Sequence, residues 1–311
     1  MEYVLNTYAL NKYYGNFKAL NGLSMNVPKG AIYGFVGKNG AGKTTLIRLV
    51  CGLQQPTSGY YTLFDRKNTD REVLKSRRRM GAVVETPSIY PDMTAEDNLK
   101  QQYRILGLPS FDGLQDILKL VGLEGTGRKK AKNFSLGMRQ RLGIAIALVG
   151  DPDFLVLDEP VNGLDPQGII EIRELILKLN REQQITFLIS SHILDELSKF
   201  ATHYGFIDNG CLVKEISAAE LEAACRKCVC MEVSDTKALA QVLDEWKVTY
   251  QILSDTRAEV FAKIRVSQLA AELAKLNCEV ISMQEKDESL ESYYVNLVGG
   301  RQNVTGGDQN A

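Results

Sequence analysis

The sequence predicts an α/β domain built on parallel strands, followed by a small α+β domain of ferredoxin-like order. Three observations predict it. Up to about Ile216 short apolar runs alternate with helical patterns, as buried parallel strands and their crossover helices require. From Ser217 the order becomes strand, helix, strand, strand, helix, strand, which is the split βαβ arrangement. A glycine-rich loop, "GKNGAGKTT", sits between the first clear strand and a helix. The 311 residues are also enough for about two domains at roughly 150 residues each.

The elements follow in order. "AIYGFVG" (Ala31–Gly37), "FLVLDE" (Phe154–Glu159) and "ITFLISS" (Ile185–Ser191) are continuous apolar runs of strand length. Between the last two, "DPQGIIEIRELILKLN" predicts a helix capped by Asp165 with Pro166 at its first position. Its apolar face is Ile169, Ile172, Leu175, Ile176 and Leu179. Beyond residue 216, "CVCMEV", "VTYQILS", "AEVFAK" and "CEVISMQE" read as strands, and "TKALAQVLDEWK" and "VSQLAAELAKLN" as helices. A last short helix, "ESLESYYVNLV", leads into a tail rich in Gly, Asn and Gln, expected to be disordered. The expected domains are therefore 1–216 and 217–298, with 299–311 as the tail.

Composition excludes several classes. A net charge of -1 lacks the basic footprint of a nucleic-acid binder. The start, "MEYVLNTYAL", is not a secretory signal. No apolar run approaches the roughly 20 residues that span a bilayer; the nearest, Leu142 to Leu157, is broken by Gly150, Asp151, Pro152 and Asp153. Six cysteines include the cluster "CRKCVC" (Cys225, Cys228, Cys230), but no histidine lies near it. Cys228 and Cys230 fall on alternate positions of an expected buried strand, so reduced thiols are the reading rather than a metal knuckle.

The glycine-rich loop carries chemistry. Gly37, Gly42, Lys43 and Thr44 fit G-x-x-x-x-G-K-[ST]. Backbone N–H groups from Gly37, Lys38, Asn39, Gly40, Ala41, Gly42, Lys43, Thr44 and Thr45 converge on phosphate oxygens in such a loop. Gly40 and Gly42 permit the close approach, and the helix N-terminus adds its positive dipole end. Lys43 is expected on the β- and γ-phosphates of ATP, and the Thr44 hydroxyl on Mg²⁺. "FLVLDEP" then delivers Asp158 and Glu159 at a strand's carboxyl end, where open α/β sheets bind ligands. Asp158 suits holding Mg²⁺, and Glu159 suits orienting or deprotonating the attacking water.

A second helix N-terminus is built for a phosphate. In "NFSLGMRQRLGIAIALVGDP", Ser135 can cap a helix from Leu136 to about Leu148, with Gly137 in its first turn. Here the chain resembles the ATP-binding cassette (ABC) ATPases. Their signature, usually L-S-G-G-Q, is Phe134–Ser135–Leu136–Gly137–Met138 in this sequence; it departs at three positions and keeps the serine and second glycine. The resemblance runs from about Tyr3 to Ile216 and implies a P-loop α/β fold with a helical signature subdomain. "NKYYGNFKAL" resembles the adenine-stacking segment, which implies Tyr14, with Tyr13 as the alternative. "NGLDP" resembles the D-loop, with Asp165 crossing a dimer interface. "ISSHILDEL" resembles the switch, with His192 on the γ-phosphate; His203 is read as structural.

By this resemblance two cassettes close head to tail on two ATP molecules, the P-loop of one facing Ser135 and Gly137 of the other. Hydrolysis would drive a separate integral membrane permease. The chain would lie in the cytoplasm, peripheral on the inner face of the membrane, and no nucleic-acid partner is expected. A soluble ABC ATPase in assembly or nucleic-acid work is the competing reading. "GAVVETPSIYPDMTAEDNL" and "SLGMRQRLGIAIAL" look most like bacitracin- or lantibiotic-resistance exporters, many of which carry glutamate at the Q-loop position. Here that residue is Glu85, expected to join the catalytic groups or to ligate Mg²⁺.

Overall fold

The computed structural model describes residues 2–225, 228–262, 264–286 and 290–299. The chain divides into two compact units, Met1–Ala218 and Ala219–Ala311. From residue 300 onward, the expected tail lies outside the described residues.

The first unit runs β1 (Tyr3–Tyr14), β2 (Phe17–Leu23), β3 (Asn26–Pro28), β4 (Ile32–Val36), α1 (Lys43–Val50), β5 (Ser58–Leu63), β6 (Arg66–Lys67), α2 (Val73–Arg77) and β7 (Met80–Val83). Three helices follow, α3 (Ala95–Leu106), α4 (Leu114–Leu120) and α5 (Leu136–Leu148). The chain then returns through β8 (Phe154–Asp158), α6 (Pro166–Gln183), β9 (Thr186–Ser191), α7 (Leu194–Ser198), β10 (His203–Asp208) and β11 (Cys211–Ser217). One sheet has the order β11-β10-β4-β9-β8-β7, parallel throughout except for β11. A second, antiparallel sheet has the order β2-β1-β5-β6, with β3 also on β1.

The parallel sheet positions the site. β4, β8 and β9 are buried along their whole length, which is why they read as unbroken apolar runs. Register aligns their carboxyl ends: Val36 stands opposite Ser191, and Asp158 opposite Ser190. The glycine-rich loop, the acidic pair and the segment leading to His192 therefore leave the same edge. β7 extends the edge, with Val83 opposite Leu157, so Glu85 emerges there too.

Helix ends follow the expected caps. The Asp165 carboxylate accepts from Gly168 N at 3.0 Å and starts α6, whose residues Ile172, Leu175, Ile176 and Leu179 are buried. Ser135 Oγ accepts from Met138 N at 3.2 Å and starts α5. α5 is pressed on two neighbours at glycines. A Cβ on Gly81 would lie 2.1 Å from Ala147 O, and one on Gly143 would lie 2.7 Å from Pro87 Cβ. The strand that leads to Glu85 and the turn after it are thereby seated on the helix that Ser135 caps.

α8 (Ala218–Ala224) precedes the second unit's sheet. That unit contains β12 (Cys228–Val233), α9 (Thr236–Glu245), β13 (Tyr250–Ile252), β14 (Arg257–Val260), α10 (Val266–Lys275), β15 (Val280–Lys286) and α11 (Leu290–Gly299). Its sheet order is β13-β14-β12-β15, every pairing antiparallel. Val229, Met231 and Val233 of β12 pack in one core with Leu239, Val242 and Leu243 of α9 and Leu269 and Leu273 of α10. Among the described residues no helix is long and apolar enough to cross a membrane.

Candidate active site

The loop after β4 turns back through glycines that no other residue could replace without strain. Gly42 has φ +111, and a Cβ there would lie 2.5 Å from Ala19 O. Gly40 has φ +81 and nothing within 4 Å of its Cβ position, so its face is open to an incoming phosphate. Lys43, 6 % exposed, folds into the loop it follows. Its Nζ donates to Gly37 O at 2.6 Å and to Lys38 O at 3.2 Å, and lies 3.2 Å from Glu159 Oε1.

Asp158 and Glu159 are held by different partners. Thr44 Oγ1 donates to Asp158 Oδ2 at 2.9 Å, and Ser190 Oγ donates to Asp158 Oδ1 at 2.5 Å. Asp158 is 1 % exposed, so both carboxylate oxygens are satisfied inside the protein. Glu159 sits in the left-handed region at φ 50, its N–H bonded to Ser190 O (3.2 Å) and Ser190 Oγ (2.9 Å). That turn aims its carboxylate between Lys43 and His192, whose Nδ1 lies 2.8 Å from Glu159 Oε2.

Lys43, Thr44, Asp158, Glu159 and His192 thus form one connected cluster. Ser190 completes it, and sequence reasoning missed it: its signal was a hydroxyl at the inner end of an apolar strand. Glu85 stands apart from the cluster's hydrogen bonds. It too has a left-handed backbone, φ 60, but its carboxylate is engaged by Arg48 Nη2 at 2.5 Å. Arg48 follows Thr44 by four residues, one turn further along α1. Arg48, also missed in the sequence, helps line a cavity of about 540 Å³ with Cys51, Arg77, Glu85, Thr86, Pro87 and Gly143. Burial pushes the Cys51 thiol up to about 12, with Arg77 partly opposing, so it stays protonated there.

The remaining expected residues lie outside this cluster. Tyr14 is at the tip of the β1–β2 hairpin, opposite Phe17, with its hydroxyl donating to Gln54 Oε1 and 42 % of its surface exposed. Tyr13 is half-buried, and its hydroxyl donates to Asn11 Oδ1 at 3.4 Å. Ser135 is exposed and bonded within its own helix, and a Cβ on Gly137 would meet only Leu164 Cδ2, at 3.9 Å. The α5 N-terminus therefore neighbours the segment ending at Asp165, with Ser135 and Leu136 exposed, Gly137 half-buried and Phe134 buried.

Comparison with known proteins gives a consistent result. A profile of the ABC transporter family matches residues 20–162. The bacitracin transport ATP-binding protein BcrA of Bacillus licheniformis is 39 % identical over 305 residues, covering 96 % of this chain and 99 % of the relative. The lantibiotic transport ATP-binding protein SrtF of Streptococcus pyogenes is 43 % identical over 206 residues, 66 % of this chain and 87 % of the relative. A dimeric post-hydrolysis structure of the cassette MJ0796 bound to ADP and Pi superposes with a TM-score of 0.62 at 25 % identity, over 69 % of this chain and 98 % of that one. By these similarities the chain belongs to the ABC transporter family as an ATP-binding subunit that hydrolyses ATP.

Proposed function

We propose that the chain works as a homodimer on the cytoplasmic face of a membrane, driving a separate permease that exports an antimicrobial peptide or drug. The observation that carries this reading is the similarity to BcrA along 96 % of the chain, the second unit included. The exposed Ser135 and the uncrowded Gly137 support the dimer: a capped helix N-terminus is a ready anion site that its own P-loop does not use. The cavity beside Glu85 supports the permease, because the family commonly receives coupling helices beside this loop. The second unit is ferredoxin-like in this reading, supported by its β12-α9-β13-β14-α10-β15 order and its all-antiparallel sheet.

In the proposed chemistry the backbone amides of residues 37–45 and Lys43 hold the ATP phosphates, and Tyr14 stacks on adenine. To reach a γ-phosphate, Lys43 exchanges its contact with Glu159 for the phosphate oxygens. Glu159, so released, takes the proton of an attacking water, while His192 holds the carboxylate's orientation. Asp165 and the partner's signature helix close the site from the other side. The donor set fits Mg²⁺: Thr44 Oγ1 and the buried Asp158 carboxylate are adjacent hard oxygens. Mg²⁺ held there would supply positive charge to the phosphate oxygens. The test is to express the chain in a sensitive host together with the permease of a bacitracin or lantibiotic exporter. Resistance to bacitracin or a lantibiotic that is lost in Lys43→Ala is expected. Full ATPase activity with no change in resistance or export would overturn the transport reading.

A further inference from the structure

The sheet face of the second unit that turns away from its core carries a cluster that nucleotide chemistry does not use. Along β12, Val229, Met231 and Val233 point into the core, so by period-2 alternation Cys228 and Cys230 share the opposite face. Pairing with β14 sets Cys230 directly opposite Glu259. Cys230 Sγ is 3.8 Å from Glu259 Oε1, and the two sulfurs and one Glu259 oxygen lie within 4.8 Å of one another. Cys228 is buried, and the other two are half-buried. None of the six cysteines, all among the described residues, is in a disulfide. "CRKCVC" alone offers thiols and no second ligand type. The carboxylate comes from another strand, and only the sheet register brings it to them.

We propose that Cys228, Cys230 and Glu259 form a binding site for a borderline-soft divalent cation of the zinc class. Two thiolates and a carboxylate are an accepted zinc set, with bonds of about 2.3 Å to sulfur and about 2.0–2.2 Å to oxygen. A tetrahedral centre of that size needs donors roughly 3.4–3.8 Å apart, so the cluster contracts by about 1 Å on binding. Sulfur donors select against Mg²⁺, which keeps this site chemically separate from the nucleotide site. As each sulfur–metal bond forms, that thiol's proton passes to solvent, and no electron is transferred. Cys225, three residues before Cys228, has the spacing to fill the fourth position. A cation here ties β12 to β14 at the middle of the sheet and stabilises the unit by mass action.

Co²⁺ is the probe. The reduced, chelator-stripped full chain is expected to take up a single equivalent, with thiolate-to-cobalt charge-transfer absorption in the near ultraviolet and tetrahedral bands in the visible. Zn²⁺ should displace it and raise the unfolding temperature. Cys230→Ser and Cys228→Ser remove the charge-transfer bands, Glu259→Gln weakens Co²⁺ binding by at least about tenfold, and Cys211→Ser leaves both unchanged. Because Cys228 is buried, Cys230→Ser and Glu259→Gln are the deciding variants, with fold retention checked by circular dichroism. Absence of charge-transfer bands at stoichiometric Co²⁺, or bands that survive Cys230→Ser or vanish with Cys211→Ser, overturns the site.

Discussion

Two glutamates leave the same sheet edge in the same unusual backbone conformation, and their surroundings hold them very differently. Glu159 (φ 50) is 19 % exposed, with its N–H on Ser190 and its carboxylate between Lys43 and His192. Glu85 (φ 60) is 54 % exposed and, among the described residues, has one ion pair, with Arg48. A left-handed non-glycine residue costs about 1–3 kcal/mol and persists where its neighbours over-determine it. At Glu159 the ladder, the Ser190 hydroxyl, a lysine and a histidine all do so. At Glu85 the turn is seated by Pro87 on Gly143, while the side chain is left one exchangeable partner. One acid is thus held by two side chains in a largely buried turn, and the other by one exposed pair.

The heaviest loss is expected where the fixed acid is altered. Glu159→Gln keeps the size and the hydrogen-bonding ability of the side chain but removes its basicity. Phosphate release is expected to fall by about 10²–10⁴-fold, with ATP retained and an ATP-dependent dimer accumulating in gel filtration. Turnover within about tenfold of wild type would remove the base assignment. Next comes Lys43→Ala, which deletes the buried ammonium that Glu159 now shares. Loss of charged hydrogen bonds worth about 1.5–3 kcal/mol predicts nucleotide affinity lower by about 10–100-fold, read by calorimetry. Unchanged affinity would sink the phosphate-loop reading. His192→Ala removes one of two side-chain holds on the Glu159 carboxylate. Turnover is expected to drop by about tenfold or more while ATP affinity holds; a loss of affinity equal to the loss of rate would assign His192 to binding instead.

The same contrast explains what could be read in advance. Strands buried on both faces must be apolar along their length, so β4, β8 and β9 stood out, and the loop chemistry marked Lys43, Thr44, Asp158 and Glu159. The cap at Asp165 and the helix starting after Ser135 followed from local rules. β1 was harder: its ladder shifts register between Leu10 and Lys12, so buried and exposed positions do not alternate cleanly. Ser190 and Arg48 were hidden because their importance lies in a partner far along the chain, Asp158 for one and Glu85 for the other. Glu259 was hidden for the same reason, since only the β12–β14 register sets it beside Cys230.

A much milder change is expected at the exchangeable acid. An exposed ion pair contributes about 0.2–1 kcal/mol, so Glu85→Gln, Arg48→Gln and the double variant should differ from wild type in unfolding free energy by no more than that. The consequence is expected elsewhere. An ionised carboxylate at position 85 only accepts hydrogen bonds and carries negative charge beside Arg48 of α1, whereas glutamine accepts and donates without charge. Glu85→Gln is therefore expected to keep ATP affinity and to alter the rate of hydrolysis measured with the permease in a membrane. Arg48→Gln should shift the coupled rate too, because it frees the carboxylate without removing it. If a double-mutant cycle on the coupled rate shows that the two substitutions add independently, the pair is an ordinary surface contact and Glu85 has no part in coupling. If they do not add, the exchange of Glu85 away from Arg48 is a step in the coupled cycle.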